Sequence, residues 1–304
     1  MLNDGDKIEA VSKFLLQSPP GEINDVLNDV RAIVRNDELL RTGILPALEQ
    51  YNVEQLITVK VPDADHQVII SEAGRLEQGT QRFVDPKSHT SFELDHIQLQ
   101  TSDPQPVYTN EDHEAFRSAL EVAAEKYVAD HFEEGVVTVF PPKVPGTEGE
   151  TLEEIFIIQI VSNKYNPSNF WSGRWRSEYY VDVQGGEVHG RVLINVHYYE
   201  NGNVQLSTQH NPTFPFPPSG LSPDSAASYS HITTKILAQV EALEDFYQRE
   251  LNDAYTEMGE KTFKSLRRAL PLTRQKLDWD KVTGYKLGAE LAAGKGGFGA
   301  GNLA

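Results

Sequence analysis

The chain has 304 residues, of which 24% are charged and 39% hydrophobic, a composition typical of a soluble globular protein. Its formal net charge of −18 argues against nucleic-acid binding by the chain as a whole, because an acidic surface repels phosphate. The absence of cysteine excludes disulfides, thiol catalysis and zinc–thiolate sites. The N-terminus lacks the pattern of a signal peptide, and the longest apolar run, 156–161, is too short for a transmembrane segment. We therefore expect a cytoplasmic protein.

Residues 1–52 predict two or three short, packed helices. Apolar residues recur every three or four positions in three stripes, at Ile8, Val11 and Leu15, then along 23–34, then along 40–51. Ser18, ahead of two prolines, predicts the start of a helix. Residues 53–110 differ, because they contain short β-rich segments separated by turn sequences, and they predict a small β-rich region.

Residues 111–259 predict a helix, an antiparallel sheet and a long second helix. The first helix should cover 111–132, and 140–150 reads as an exposed loop. Four strand-like runs follow up to residue 210, and Gly185-Gly186 and Asn201-Gly202 separate consecutive runs as turns. The proline-rich stretch 211–220 predicts a linker. The sequence therefore predicts an α+β protein built on an antiparallel meander.

The long helix should begin near Ser222 and end near Gly259. Its apolar positions are spaced by 4, 4, 3, 4, 4, 3 and 4 residues, which corresponds to about 3.67 residues per turn and gives a nearly straight stripe. A straight stripe suits a helix that lies across a broad sheet. A coiled coil is the alternative, although it favours a period of 3.5. The positions are Ile232, Ile236, Val240, Leu243, Tyr247, Leu251, Ala254 and Met258.

The last 45 residues differ in charge from the rest of the chain. Residues 260–286 hold eight basic and three acidic residues, a net charge of +5, so the remainder carries −23. We call residues 260–292 the arm, and we expect a disordered tail over 293–304. On a helical wheel, Phe263, Leu266 and Leu270 form an apolar stripe beside a basic one. A solvated charged face is the simplest interpretation, but a basic, partly apolar arm on an acidic protein favours binding to an acidic partner. The basic positions and the nearby aromatic are Lys264, Arg267, Arg268, Arg274, Lys276 and Trp279.

No recognisable catalytic or metal-binding motif is present, so we do not expect an enzyme, and we expect no cofactor or metal. The nine histidines show no metal-ligand spacing, and His189 and His197 are expected on one face of a strand. Gly294, Gly296 and Gly299 match a dinucleotide motif but lack the strand and helix that it needs. Residues 170–180 mix aromatics with arginines, as single-stranded nucleic-acid sites do, although a core strand is the favoured interpretation.

Two stretches resemble the α subunit of actin-filament capping proteins. They are VHYYENGNV at 196–204, where the family usually has Asp in place of Asn201, and FKSLRRALP at 263–271, where Ser265 replaces Ala or Glu. Residues 166–179 and 272–288 are also similar, as is the order of the parts. The resemblance covers the chain up to about residue 292.

The resemblance implies an obligate heterodimer with a β subunit, in which the two chains share one antiparallel sheet. It implies binding to the barbed ends of actin filaments, which blocks subunit exchange without calcium or nucleotide, in the cytoplasm and at cortical actin. It places the actin contacts in the arm, with family basic positions at Lys264, Arg268 and Arg274. Phosphoinositides and protein regulators are further implied partners. A protein that binds phosphoinositides or nucleic acid through its basic helix is the alternative.

Overall fold

The computed structural model describes residues 3–61, 64–77, 79–143, 154–200, 203–216 and 226–257. The chain divides into two compact units, Met1–Tyr247 and Gln248–Ala304. In the second unit the described residues are 248–257, and all of them are helical. The predicted turn at Asn201-Gly202 lies outside the described residues, as does the arm.

Four helices, rather than the two or three expected, form the N-terminal part of the first unit. They are α1 (Asp4–Leu16), α2 (Ile23–Val34), α3 (Asp37–Gly43) and α4 (Leu45–Glu54). A capping box between Asn3 and Asp6 starts α1. The predicted start at Ser18 is wrong, because α2 begins only at Ile23 and the Ser18 hydroxyl donates back to the carbonyl of Phe14.

The third apolar stripe is divided between two of these helices, which explains the extra one. Pro46 in the first turn of α4 has no N–H to continue the hydrogen bonding of α3, so a new helix begins at this point. The predicted apolar positions nevertheless form one core. It contains Val11, Leu15, Val30, Leu40, Ile44 and Leu48.

Two small antiparallel sheets follow, as the β-rich pattern predicts. One pairs β1 (Thr58–Lys60) with β2 (Gln67–Ile69), and the other has the order β3 (Arg82–Asp85), β4 (Thr90–Asp95), β5 (Gln100–Pro106). Within the β-rich run 91–99, β4 ends at Asp95. The carboxylate of Asp95 accepts hydrogen bonds from the backbone of Ile97 and Gln98 and closes a turn there, so that β5 starts at residue 100.

The main sheet is antiparallel and has the strand order β10-β9-β8-β7-β6, with a short β11 pairing with one end of β9. The four predicted strands are present, and β6 and β11 are additional. The supposed linker at 211–220 contains β11, whose Phe214 is buried beside Val188. The strands are β6 (Val136–Phe140), β7 (Ile155–Asn166), β8 (Trp171–Asp182), β9 (Glu187–Tyr198), β10 (Val204–His210) and β11 (Thr213–Pro215).

The two faces of the main sheet differ in chemistry. On one, the helix face, cross-strand rows such as Phe156–Val181–Val188 are buried, and α5 (Glu111–His131) packs there through Phe116. The opposite, N-terminal face carries rows of polar residues that bond to the N-terminal helices. The long helix α6 (Ala226–Glu257) reaches the helix face through Glu244. An α+β fold with a meander beneath a long helix is confirmed, and within the first unit the coiled-coil alternative for α6 is wrong.

Candidate partner-binding surfaces

Every binding residue predicted from the sequence lies in the arm and therefore outside the described residues. This holds for the basic and aromatic set and for its apolar support. Their role stays a prediction. The residues concerned are Lys264, Arg267, Arg268, Arg274, Lys276, Trp279, Phe263, Leu266 and Leu270.

The described chain offers a second surface, the outer edge of β10. Within the part of the chain that the structure describes, β10 pairs with β9 on one side and has no strand on the other. None of its seven residues is aspartate, glutamate, lysine, arginine or proline. Val204 and Leu206 remain 61% and 45% exposed. Natural proteins normally protect such an edge with charges or proline, so an unprotected apolar edge is typical of a strand that pairs with another chain.

α6 holds β10 in place from the helix face. The hydroxyl groups of Tyr247 and Thr208 are hydrogen-bonded, and the ring of His210 stacks on Tyr247 with centroids 4.7 Å apart. Thr208 and His210 are alternate residues of one strand, so both side chains point to the same face. The open edge is therefore a fixed strand with its hydrogen-bonding groups in register, rather than a loose segment.

Glu244 fixes α6 on the sheet, although no sequence pattern singles it out. The residue is 2% exposed, and its carboxylate accepts hydrogen bonds from Ser177 (2.7 Å) and Tyr179 (2.6 Å) on β8 and from Tyr127 on α5. Burial raises the pKa of Glu244, and these hydrogen bonds oppose the rise. Burial together with the Glu244 carboxylate raises the pKa of the Tyr179 hydroxyl well above its usual value. Glu244 thus joins the long helix, the sheet and α5 at one buried point.

The N-terminal face of the sheet buries two arginines of the segment that resembles a nucleic-acid site. Arg174 and Arg176 lie in β8 and are 4% and 6% exposed. Arg176 donates to the carbonyl of Glu54, the last residue of α4, where a helix C-terminus favours a cation. Arg174 donates to the side chain of Gln55 just beyond it. Both side chains are thus buried within the fold, so the interpretation of 170–180 as a core strand is confirmed.

The residues that the structure describes contain no group of three or more His, Asp or Glu side chains placed to hold a metal ion. His197 is buried, with Nδ1 2.6 Å from the Glu22 carboxylate, which ties the loop before α2 to β9. His189, on the same strand face as expected, is exposed beside Glu187.

A family model described as F-actin capping protein alpha subunit matches residues 11–290, which include nearly all of the arm. The chain belongs to this family. Relatives named F-actin-capping protein subunit alpha have 38% identity in Emericella nidulans and 35% in Caenorhabditis elegans. Each alignment covers 95% of this chain. It also covers 98% of the Emericella protein and 99% of the Caenorhabditis protein, respectively. The family membership predicted from FKSLRRALP and VHYYENGNV is confirmed.

A solved structure supports the fold of this capping-protein chain. It is the homodimeric actin capping protein alpha subunit from Plasmodium berghei, with a TM-score of 0.66 at 17% identity, covering 89% of this chain and 99% of that one. At such low identity the likeness shows the fold alone. Among the described parts of the chain, no helix combines the length and the apolar character that a bilayer span requires.

Proposed function

We propose that this chain is the α subunit of a capping protein that binds the barbed ends of actin filaments and blocks the gain and loss of subunits there. The observation that supports this most strongly is the family match over 11–290. The role is one of binding rather than catalysis, in line with the family. We further propose that capping needs no calcium, nucleotide or other cofactor, and that the protein works in the cytoplasm, at cortical actin.

The arm provides the main contact with actin in this proposal. Its positive charge, on a chain that otherwise carries −23, favours encounter with an acidic surface. Its apolar stripe and its arginines can be buried in the complex, and buried arginine and aromatic contacts are what slow dissociation. We assign actin binding to Lys264, Arg267, Arg268, Arg274, Lys276 and Trp279, supported by Phe263, Leu266 and Leu270.

The open edge of β10 provides the subunit contact. A partner strand added there would use the unpaired backbone groups and cover Val204 and Leu206. We propose that this partner is a capping-protein β subunit in an obligate heterodimer. The homodimer named for the Plasmodium structure makes a second copy of this chain the alternative occupant of the edge. Co-expression with a β subunit, followed by size-exclusion chromatography, distinguishes the two.

An actin elongation assay tests the proposal directly. Spectrin–actin seeds and pyrene-actin report barbed-end growth in the presence of the purified heterodimer, with EGTA present to test calcium independence. We expect the triple variant Lys264→Ala, Arg268→Ala, Arg274→Ala to dissociate from barbed ends at least about tenfold faster, because each lost anchor costs on the order of 1–3 kcal/mol, non-additively. The heterodimer itself should form as before.

A matched control removes the same charge elsewhere. Lys13, Lys126 and Lys164 are exposed residues of the first unit, and their joint replacement by alanine should leave capping unchanged. Unchanged capping by the arm variant would contradict the assignment.

Regulation through the same arm follows from its charge. Acidic phosphoinositides and protein regulators of capping would compete with actin for the basic residues. The rival function is phosphoinositide or nucleic-acid binding by the basic helix alone. A steep salt dependence of binding with no selectivity for barbed ends would favour the rival.

A further inference from the structure

The N-terminal face of the main sheet contains an open cavity of about 600 Å³ that the proposed capping role does not use. Its floor is formed by β7, β8 and β9, and its walls by the end of α4, the segment after β2 and Lys143. The volume lies within the range of small-molecule sites, about 300–1,000 Å³. Three cationic side chains, Lys143, Arg176 and Arg191, line it on a chain with a net charge of −18.

The deepest of these cations lacks an anionic partner. Within the described chain, no carboxylate lies within ion-pair distance of Arg176, and its hydrogen bonds go to the carbonyl of Glu54 (2.5 Å) and the amide oxygen of Asn195 (2.6 Å). Its Nε–H is buried and has no acceptor. Burial, followed by the positive charges of Arg174 and Arg191, lowers the pKa of Arg176 to about 10. Buried charges are normally paired, so the site lacks a counter-ion.

A second buried guanidinium adds to this excess. Arg174, two residues away on the same face of β8, bonds to Asn163, Gln55 and Tyr165, all of them uncharged. A bound water could accept from the Arg176 Nε–H, but a water brings no negative charge. In the described chain, the two neighbouring guanidinium groups thus have only neutral hydrogen-bond acceptors. A bound anion would balance their positive charge.

Carboxylates at the cavity are engaged with other groups. The side chain of Glu72 pairs with Arg75 at 2.9 Å. Glu178 accepts from the Gln159 amide at 3.0 Å, while its nearest approach to Arg191 is 3.9 Å. Glu54, the third, accepts from Gln50 at 2.8 Å. Among the residues that the structure describes, Lys143 donates to a backbone carbonyl, that of Glu72. The cations at the mouth of the cavity therefore remain available to a ligand.

We propose that this cavity binds a small phosphate-bearing anion, with Arg176 at its base and Arg191 and Lys143 at its mouth. Guanidinium groups match phosphate oxygens in pairs, and a lysine adds a point charge. A multiply charged phosphate fits better than a single carboxylate, because the buried Arg176 and two further cations at the mouth line the space. The apolar floor beside them, which includes Ile157 and Leu193, leaves room for an organic portion.

Isothermal titration calorimetry with pyrophosphate tests the site. The sample is the full chain purified with its co-expressed partner, at constant ionic strength. Wild type should bind, and Arg191→Gln and Lys143→Gln should each raise the Kd about tenfold, since each removes a charge from the mouth without touching the core. Lys164→Gln, an exposed lysine on the helix face of the sheet, is the matched control and should bind as wild type does.

Substitution of Arg176, at the base of the cavity, provides a second test. Arg176→Met should abolish binding, and its thermal unfolding should no longer respond to pyrophosphate, which reports on the site even if the variant is less stable. Absence of binding to wild type, or equal affinity in wild type and both mouth variants, would overturn the proposal. Capping is measured separately, so failure here leaves the proposed function untouched.

Discussion

The strands β10 and β5 are both seven residues long, and both are outermost in their sheets within the described chain, but their edges differ in sequence. β5 carries Asp103, Pro104 and Pro106. Asp103 adopts a left-handed backbone conformation (φ 49°) and forms an ion pair with Arg82. The register of the pairing between β5 and β4 also shifts along the strand. β10 has regular pairing and neither charge nor proline. Charge, proline and irregularity are the usual protections of an edge, so exposure alone does not mark an interface. The unprotected edge is the one expected to find a partner.

The largest expected effect concerns the support behind β10. Glu244→Ala would leave the hydroxyls of Ser177, Tyr179 and Tyr127 without their acceptor, at 1–3 kcal/mol each, and should lower the free energy of unfolding by about 4 kcal/mol. Because α6 also holds β10 through Tyr247, the amides of β10 should exchange faster while those of β5 stay unchanged. Urea denaturation and hydrogen exchange measure the two effects.

Glu241→Ala is the matched control for this substitution. Glu241 is a half-exposed carboxylate one turn away on α6, and its pair with His131 should contribute less than about 1 kcal/mol. Equal losses for the two variants would show that the Glu244 cluster has no special role in fixing α6.

The pH dependence of stability tests the same cluster. Burial raises the pKa of Glu244 in the folded state above its value in the unfolded chain, about 4.3. The protonated side chain therefore contributes its full stabilisation below about pH 4.3, and this contribution is lost as the pH rises through the folded-state pKa. Glu244→Gln cannot ionise, so its stability relative to wild type should increase from acidic to neutral pH. Parallel pH profiles of unfolding would contradict this.

A lysine introduced on each edge strand, β10 or β5, tests directly which edge binds the partner. Leu206→Lys on β10 should weaken binding of the β subunit by about 2 kcal/mol, or roughly thirtyfold, because a charge replaces an apolar contact beside the added strand. Gln105→Lys on β5 makes the matched change on the protected edge and should leave binding unchanged. Surface-plasmon binding to an immobilised β subunit measures both. Equal effects would remove the distinction between the edges.

The smallest expected effect comes from the hydrogen bond between α6 and β10. Tyr247→Phe keeps the ring that stacks on His210 and removes only the hydroxyl that bonds to Thr208. We expect a loss of about 1 kcal/mol in stability and a modest increase in exchange at β10. Thr234→Val, which removes an exposed hydroxyl bonded within α6, should leave exchange at β10 as in wild type.

The periodicity of apolar residues predicted the long helices and strands. The short strands and the buried polar contacts could not be predicted in this way. The alternation along β9 and the spacing in α6 are local signals, and both elements are present. The predicted ends of the long helix, near Ser222 and Gly259, lie outside the described residues. β5 was missed because Asp103, Pro104 and Pro106 are disfavoured in strands, and β11 because Pro212 and Pro215 resemble a linker.

Glu244 could not be found from sequence, since it is one of 45 acidic residues and its partners lie 65 or more positions away. The buried guanidinium groups of Arg174 and Arg176 were hidden for the same reason, because Gln55 and Glu54 are about 120 positions distant. The unprotected edge, in contrast, can be read from the seven letters of β10 once the strand order is known.

Hydrogen exchange of the chain with and without a β subunit tests the claim about the two edges most directly. If the sheet continues into the partner, amides of β10 that face outward become protected in the complex, and those of β5 exchange at the same rate as before. Unchanged exchange at β10 in a complex that still forms, or new protection at β5, would contradict the account.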